Sequence, residues 1–150
     1  MVVIAGCIIV KDNKVLMVQE AQQKCYGQWN FPAGHVDEPE KITDAAVREV
    51  YEETGYKVKL TGVLPIVITN KVENKIENAQ KMIIKFTAQV LEESKNFDTN
   101  EILDVKWIEI DKVKKMTRQE LRAYDLNIKQ LEDFENNRIY PLEVLDETFM

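Results

Sequence analysis

The chain has 150 residues, 45% hydrophobic and 31% charged, and its 26 acidic against 20 basic residues leave a formal charge of −6. A chain this long buries roughly 70% of its unfolded surface around one core, so a single domain over 1–150 is expected. The acidic balance excludes a general binder of long nucleic acid, which needs basic surface to displace counterions, and no apolar run approaches the ~18 residues of a membrane span.

Taken in chain order, "VVIAGCIIV" and "VLMVQE" read as two strands joined by the polar turn "KDNK". The "IAGC" at 4–7 imitates a lipoprotein processing site. Six residues before Cys7 are too few for a secretory signal, whose apolar stretch alone runs about 7–15. Two cysteines make no disulfide framework and fit a cytoplasmic setting; Cys7, on an apolar strand, is expected to be a small core residue. Residues 21–28 form a loop, and "WNFPAG" is a short extended piece ended by its proline and glycine.

"EPEKITDAAVREVYEETG" carries Pro39 near its start, apolar Ile42, Ala46 and Val50 at helical spacing, and Gly55 at its end. These predict a helix. "YKVKLTGVLPIVIT" and "QKMIIKFTAQVL" are strand-like, with a polar segment over 70–79 between them. "ILDVKWIEI" alternates strictly and predicts a half-buried strand. Residues 117–136 are helical in pattern, with Leu121, Tyr124, Leu131 and Phe134 toward the core, and "RIYPLEVL" is extended around Pro141. Mixed strands with two helices predict an α/β layered sandwich, a mixed sheet between helices.

The helix over residues 38–55 raises a charge problem. Seven of the 23 residues from 34 to 56 are carboxylates, and like charges at i,i+3 and i,i+4 repel. At 100° per residue Glu49, Glu52 and Glu53 share an arc of roughly 100°, with Val47, Val50 and Tyr51 expected on the buried side. Solvent, a basic partner or a divalent metal could neutralise them. Hard carboxylate oxygens suit Mg²⁺ or Mn²⁺.

These residues resemble a known family. The pattern G-x5-E-x7-R-E-U-x-E-E-x-G-U (U aliphatic) is the signature of the Nudix hydrolases, and it is met by Gly34, Glu40, Arg48, Glu49, Val50, Glu52, Glu53 and Gly55. Tyr56 departs from it, being aromatic where the pattern has an aliphatic residue. The resemblance implies a sheet sandwiched between helices and hydrolysis of a phosphate anhydride in X-linked diphosphates. By position, Glu49, Glu52, Glu53 and the main-chain carbonyl of Ala33 match metal ligands. Arg48 would hold the glutamates in place, and Glu40 would stabilise the loop–helix geometry. Relatives use one further acid from a later loop; Glu101 is the choice here, with Asp98 the fallback. The general base stays open among Glu52, Glu53 and Glu101.

"WNFPAGHVD" and "RIYPLEVL" further resemble the branch of phosphatases acting on nucleoside tri- and diphosphates and thiamine-type diphosphates. That resemblance implies ring contacts from Tyr26, Trp29 or Tyr140, with core or loop anchoring the alternative for Trp29 and Tyr140. It also implies phosphate contacts from Lys24 and Lys85, otherwise solubilising lysines, and a loop or phosphate role for His35. The expected partner is a small phosphorylated substrate, with a monomer or homodimer and no membrane. Rival functions are an ADP-ribose or dinucleotide pyrophosphatase and a non-catalytic nucleotide-sensing module.

Overall fold

The computed structural model describes residues 1–72 and 75–150. In chain order these form β1 (Val2–Ile8), β2 (Val10–Lys11), β3 (Lys14–Glu20), β4 (Trp29–Asn30), β5 (Ala33–His35), α1 (Ile42–Thr54), β6 (Lys57–Val63), β7 (Val67–Val72), β8 (Lys75–Glu92), β9 (Ile102–Glu109), α2 (Ile110–Lys114) and α3 (Tyr124–Glu135). The α/β class and the mixed sheet are as expected. In that sheet the order is β5-β1-β8-β6, with β7 also on β8; β1 and β8 run parallel and the other pairs antiparallel. A second, antiparallel sheet lies beside it, with β3 flanked by β2, β4 and β9.

The first apolar run supplies both sheets. It breaks after Ile8, and Val10 and Lys11 join the second sheet. The hairpin back into β3 turns at Asp12 and Asn13, both at positive φ (52° and 61°), as tight two-residue hairpins require. The chain returns to the first sheet across Phe31 and Pro32, between β4 and β5.

Two apolar clusters hold the layers together. One packs Ala45, Ala46 and Val50 of α1 against Ala5, Cys7, Leu16, Ile84 and Phe86. The other packs Val113, Leu121 and Leu131 against Ile8, Val15, Met17 and Phe31. The sheets thus lie between α1 on one side and α2 with α3 on the other. Burial pushes the Cys7 thiol up to about 12, with Lys85 opposing, as befits the core residue expected there. Among the described residues no helix is long and apolar enough to cross a membrane.

Several expectations need correction. Helix α1 starts at Ile42, three residues past Pro39, because residues 37–40 form a turn in which the Glu40 N–H donates to the Asp37 carbonyl (2.6 Å). Tyr51 is 44% exposed; it lies 100° around the helix from buried Val50. Of the polar segment 70–79, Glu73 and Asn74 lie outside the described residues, and the remainder belongs to β7 and β8, which pair as far as Val72↔Lys75. Strand β9 forms without strict alternation, because Val105 and Trp107 pack on the first cluster and Ile108 on the second. Residues 117–123 are not helical. Trp29 takes their backbone instead, donating to the Glu120 carbonyl (2.8 Å) and accepting from the Arg122 N–H (2.9 Å). Leu121, Tyr124, Leu131 and Phe134 still face the second cluster, and α2 is a short helix that the sequence pattern did not reveal.

Candidate active site

Helix α1 separates an apolar face from a charged one. Ala45, Ala46, Val50 and Thr54 are buried, while Arg48, Glu49, Glu52 and Glu53 turn toward the loop that carries Ala33, Gly34 and Glu40. Gly55 ends the helix at φ 80°, its N–H donating to the Tyr51 carbonyl (2.8 Å); a left-handed residue here favours glycine.

Arg48 is the hub. Its guanidinium forks onto Glu40 (Nε to Oε2 2.7 Å, Nη2 to Oε1 3.0 Å) and donates through Nη1 to Glu49 (2.9 Å) and Glu52 (3.1 Å). It also donates to the His35 carbonyl (3.0 Å), which fixes the loop against the helix. The planar fork suits this work; an ammonium could not span the same acceptors. Hydrogen bonding from Arg48 holds the Glu40 carboxyl below its ordinary range, and Glu40 in turn raises Arg48.

Glu49 and Glu53 behave differently. The Glu49 side chain is 13% exposed and lies so close to Gly34 that a methyl at that position would overlap its carboxylate. Burial raises its pKa, against the opposing pull of Arg48. Glu53 accepts the Ala33 N–H (3.0 Å) and forms no salt bridge among the described residues. Burial, then the charges of Glu20, Glu49 and Glu101, push it well above the carboxylate range. Glu52 is half exposed.

The loop before β9 is tied to the end of α1. The Asp98 N–H donates to the Glu52 carbonyl (3.0 Å), and the Asp98 carboxylate accepts the Asn100 N–H (3.0 Å). Glu101 accepts from the Gln22 side chain (2.7 Å), and its charge reaches Glu53.

Among the described residues no three His, Cys, Asp or Glu side chains form a ready-made metal cluster. The donor set nevertheless fits a hard divalent cation: Arg48 compensates Glu40, Glu49 and Glu52, while Glu53 sits in an acidic field without a countercharge in contact. Glu53 with Glu49, Glu52 and the Ala33 main chain are the groups that could hold one.

The sequence pattern did not disclose Glu20. It is 3% exposed, ends an apolar strand, accepts from Asn30 (3.3 Å) and forms an ion pair with Arg122 (3.4 Å). The ring and lysine candidates scatter. Tyr26 is 65% exposed, Tyr140 pairs by its backbone with Val63, and Lys24 and His35 are on the surface. Trp29 lines an open groove of about 320 Å³ with Trp107, Lys14, Lys106 and Lys112, none of them a signature residue. Lys85 is not the surface lysine expected; it is 3% exposed, and burial lowers its pKa to about 8.

A NUDIX domain model matches residues 2–128. The chain belongs to the Nudix family. The 8-oxo-dGDP phosphatase NUDT18 of Danio rerio is 51% identical over 53 residues, 35% of this chain and 16% of that protein. Nucleoside diphosphate-linked moiety X motif 6 of Mus musculus is 33% identical over 109 residues, 72% of this chain and 34% of that protein. The chain therefore spans about a third of the length of one of these Nudix relatives and about a sixth of the other. Among solved structures, a NUDIX hydrolase from Nitrosomonas europaea superposes with a TM-score of 0.84 at 27% identity, covering 96% of this chain and 95% of that one.

Proposed function

We propose that this Nudix domain hydrolyses a phosphate anhydride bond in small diphosphate-linked substrates, with Mg²⁺ or Mn²⁺ as cofactor. The preferred class is nucleoside tri- and diphosphates or thiamine-type diphosphates. One observation carries this: Glu53 is held by the Ala33 N–H amid Glu20, Glu49 and Glu101, without a countercharge in contact among the described residues. Such a carboxylate is costly unless a cation joins it. When bound, a divalent ion would neutralise phosphate oxygens and acidify a water molecule. The chain's own residues supply position. Arg48 fixes Glu49 and Glu52 by charge-assisted hydrogen bonds, and the Ala33–Gly34 backbone sets Glu53 and Glu49 side by side. Glu52, Glu53 and Glu101 are the candidates for proton acceptor.

Support for a nucleotide substrate comes from the name of the zebrafish relative, a nucleoside diphosphate phosphatase. The acidic chain repels a long polyanion beyond the site. The test offers nucleoside tri- and diphosphates, thiamine diphosphate, ADP-ribose, a dinucleoside polyphosphate and triphosphorylated RNA, with Mg²⁺ and with excess EDTA. Metal-dependent release of orthophosphate or pyrophosphate from the first two classes is expected. Full activity in EDTA would overturn the metal site, a preference for ADP-ribose, dinucleotide or RNA the substrate class, and ligand binding without turnover the enzyme itself.

A further inference from the structure

The four arginines of the chain are engaged unequally. Arg48 forks onto Glu40, Arg118 forks onto Asp125, and Arg138 donates to Asp133 (2.9 Å). Arg122 stands apart. Its Nη1 forms an ion pair with Glu20 Oε1 at 3.4 Å, but its guanidinium makes no hydrogen bond among the described residues. Five planar donors are thus left to fill. The Arg122 side chain is 27% exposed and that of Glu20 4%, so a ligand from solvent can reach the guanidinium and not the acid.

The backbone that presents this guanidinium is fixed on both sides. The Arg122 N–H donates to the Trp29 carbonyl (2.9 Å), and the Arg122 carbonyl accepts from the Asn127 side chain (2.7 Å). Leu121 before it is fully buried, and Ala123 after it holds φ 46° and ψ 53°, a left-handed conformation that strains a residue bearing a Cβ. The Asn127 amide also donates to Asn30 (2.9 Å), and Asn30 donates to Glu20 (3.3 Å), closing a ring of contacts around the ion pair. An arginine that served solubility alone would need none of this anchoring.

The ring lies beside the glutamates. Asn30 is three residues before Ala33, whose N–H holds Glu53, so their Cα atoms are no more than roughly 11 Å apart. Burial is the largest influence on the Glu53 carboxyl, and the charge of Glu20 is the next, ahead of Glu49 and Glu101. Arg122 therefore brings an accessible positive charge to within one side chain of Glu53. The other cations near the site are committed: Arg48 to Glu40, Glu49 and Glu52, and Lys85 to the core at 3% exposure.

We propose that Arg122 binds a phosphate group of the substrate, the one next to the phosphate at the glutamates, and that Glu20 holds the guanidinium ready for it. This assignment rests on the diphosphate-linked substrate proposed above. A guanidinium offers donors alone and meets two phosphate oxygens with two parallel N–H groups. The contact with Glu20 lacks aligned hydrogen bonds, so a phosphate that supplies two of them draws the fork away while the pinned backbone stays in place. Glu20 keeps the Asn30 amide after the exchange.

The test is calorimetry with imidodiphosphate, a P–N–P diphosphate that carries no base, in the presence of Mg²⁺, with kcat and KM for GDP measured beside it. Native protein, Arg122→Gln, Arg122→Lys, Glu20→Gln and the double variant Glu20→Gln/Arg122→Gln are compared, each with its Tm. Arg122→Gln is expected to weaken imidodiphosphate binding and raise the KM for GDP by about ten- to a hundredfold, the fold-change of a lost hydrogen bond to a charged group, with kcat changed less. Arg122→Lys should recover part of the loss, since it keeps charge without the fork. The double variant has no buried charge at Glu20 to offset. An arginine present only to offset Glu20 would therefore leave the double variant binding like the native protein, whereas a phosphate ligand leaves it as weak as Arg122→Gln. Native-like imidodiphosphate binding by Arg122→Gln or by the double variant would overturn the site. So would a loss confined to GDP, which would assign Arg122 to the nucleoside. If Arg122→Gln does not fold, the double variant against Glu20→Gln decides. A native protein that binds imidodiphosphate through Arg122 yet hydrolyses no nucleotide overturns the hydrolase function and leaves the phosphate site standing. Nucleotide hydrolysis that is indifferent to Arg122 overturns the phosphate site alone.

Discussion

The carboxylate of Glu147 caps helix α1 at Ile42, 105 residues away in sequence. Its Oε2 accepts the Ile42 N–H (2.6 Å), and its Oε1 accepts the Thr43 hydroxyl (2.6 Å). Lys41, at the position where a capping side chain would stand, makes no such bond. An anion here satisfies an orphan N–H and complements the helix dipole. The helix bearing the glutamates is thus completed by a residue beyond the part of the chain that matches the family.

Glu147→Ala should therefore cost about 1 kcal/mol, the usual cost of a lost N-cap. In a chain of this size that lowers Tm by roughly 2–4 °C. Calorimetry checks it, and an unchanged Tm would mean that the 37–41 turn starts the helix unaided.

Glu53→Gln keeps size and the acceptor for Ala33 but removes charge. Turnover should fall roughly a hundredfold or more, since the amide binds metal poorly and takes no proton. With metal removed, the variant should melt higher than the native protein, because Glu20 and Glu49 no longer face a third charge. Near-native kcat would remove Glu53 from the site.

Gly34→Ala probes the close approach of Glu49. The added methyl would overlap the far end of a flexible side chain, so the fold should survive with little change in Tm. The displaced carboxylate should cost about a hundredfold in kcat/KM, as small misplacements in active sites do. Activity within twofold of native would show that Glu49 has room to relocate without consequence.

Arg48→Lys preserves charge and loses the fork. Half-maximal activation should require about 10- to 100-fold more Mg²⁺, the usual cost of losing a group that orients metal ligands. A metal titration of activity reads this directly; an unchanged midpoint would confine Arg48 to stabilising the loop through Glu40.

The glutamate-bearing helix was legible because its pattern is local: the glycines, Arg48 and the glutamates all lie within 22 residues, where spacing alone fixes the face they share. The partition into two sheets was not. An apolar run such as "VVIAGCIIV" states that strands are buried, not which neighbours they pair with, and the break at Ile9 has no mark in composition. The helix over 117–123 failed for a related reason. Trp29 offers a backbone partner that residue periodicity cannot register. Glu20 and Lys85 were hidden because a charged residue in a strand reads as a surface one; burial became visible only with Asn30, Arg122 and Gln130 around them. Glu147 lay too far from α1 in sequence to be paired with it.

The chain crosses between the sheets three times, at Ile9, over Phe31 and Pro32, and between β8 and β9. Neither sheet can therefore detach as a separate opening unit, since β1 and β2 belong to one covalent run that anchors both. Native-state hydrogen exchange should register them as one block, with central amides of β1 and β3 released only in global unfolding. The parallel pairing of β1 with β8 must close a long loop before it gains any contact, so it is expected to form late in folding.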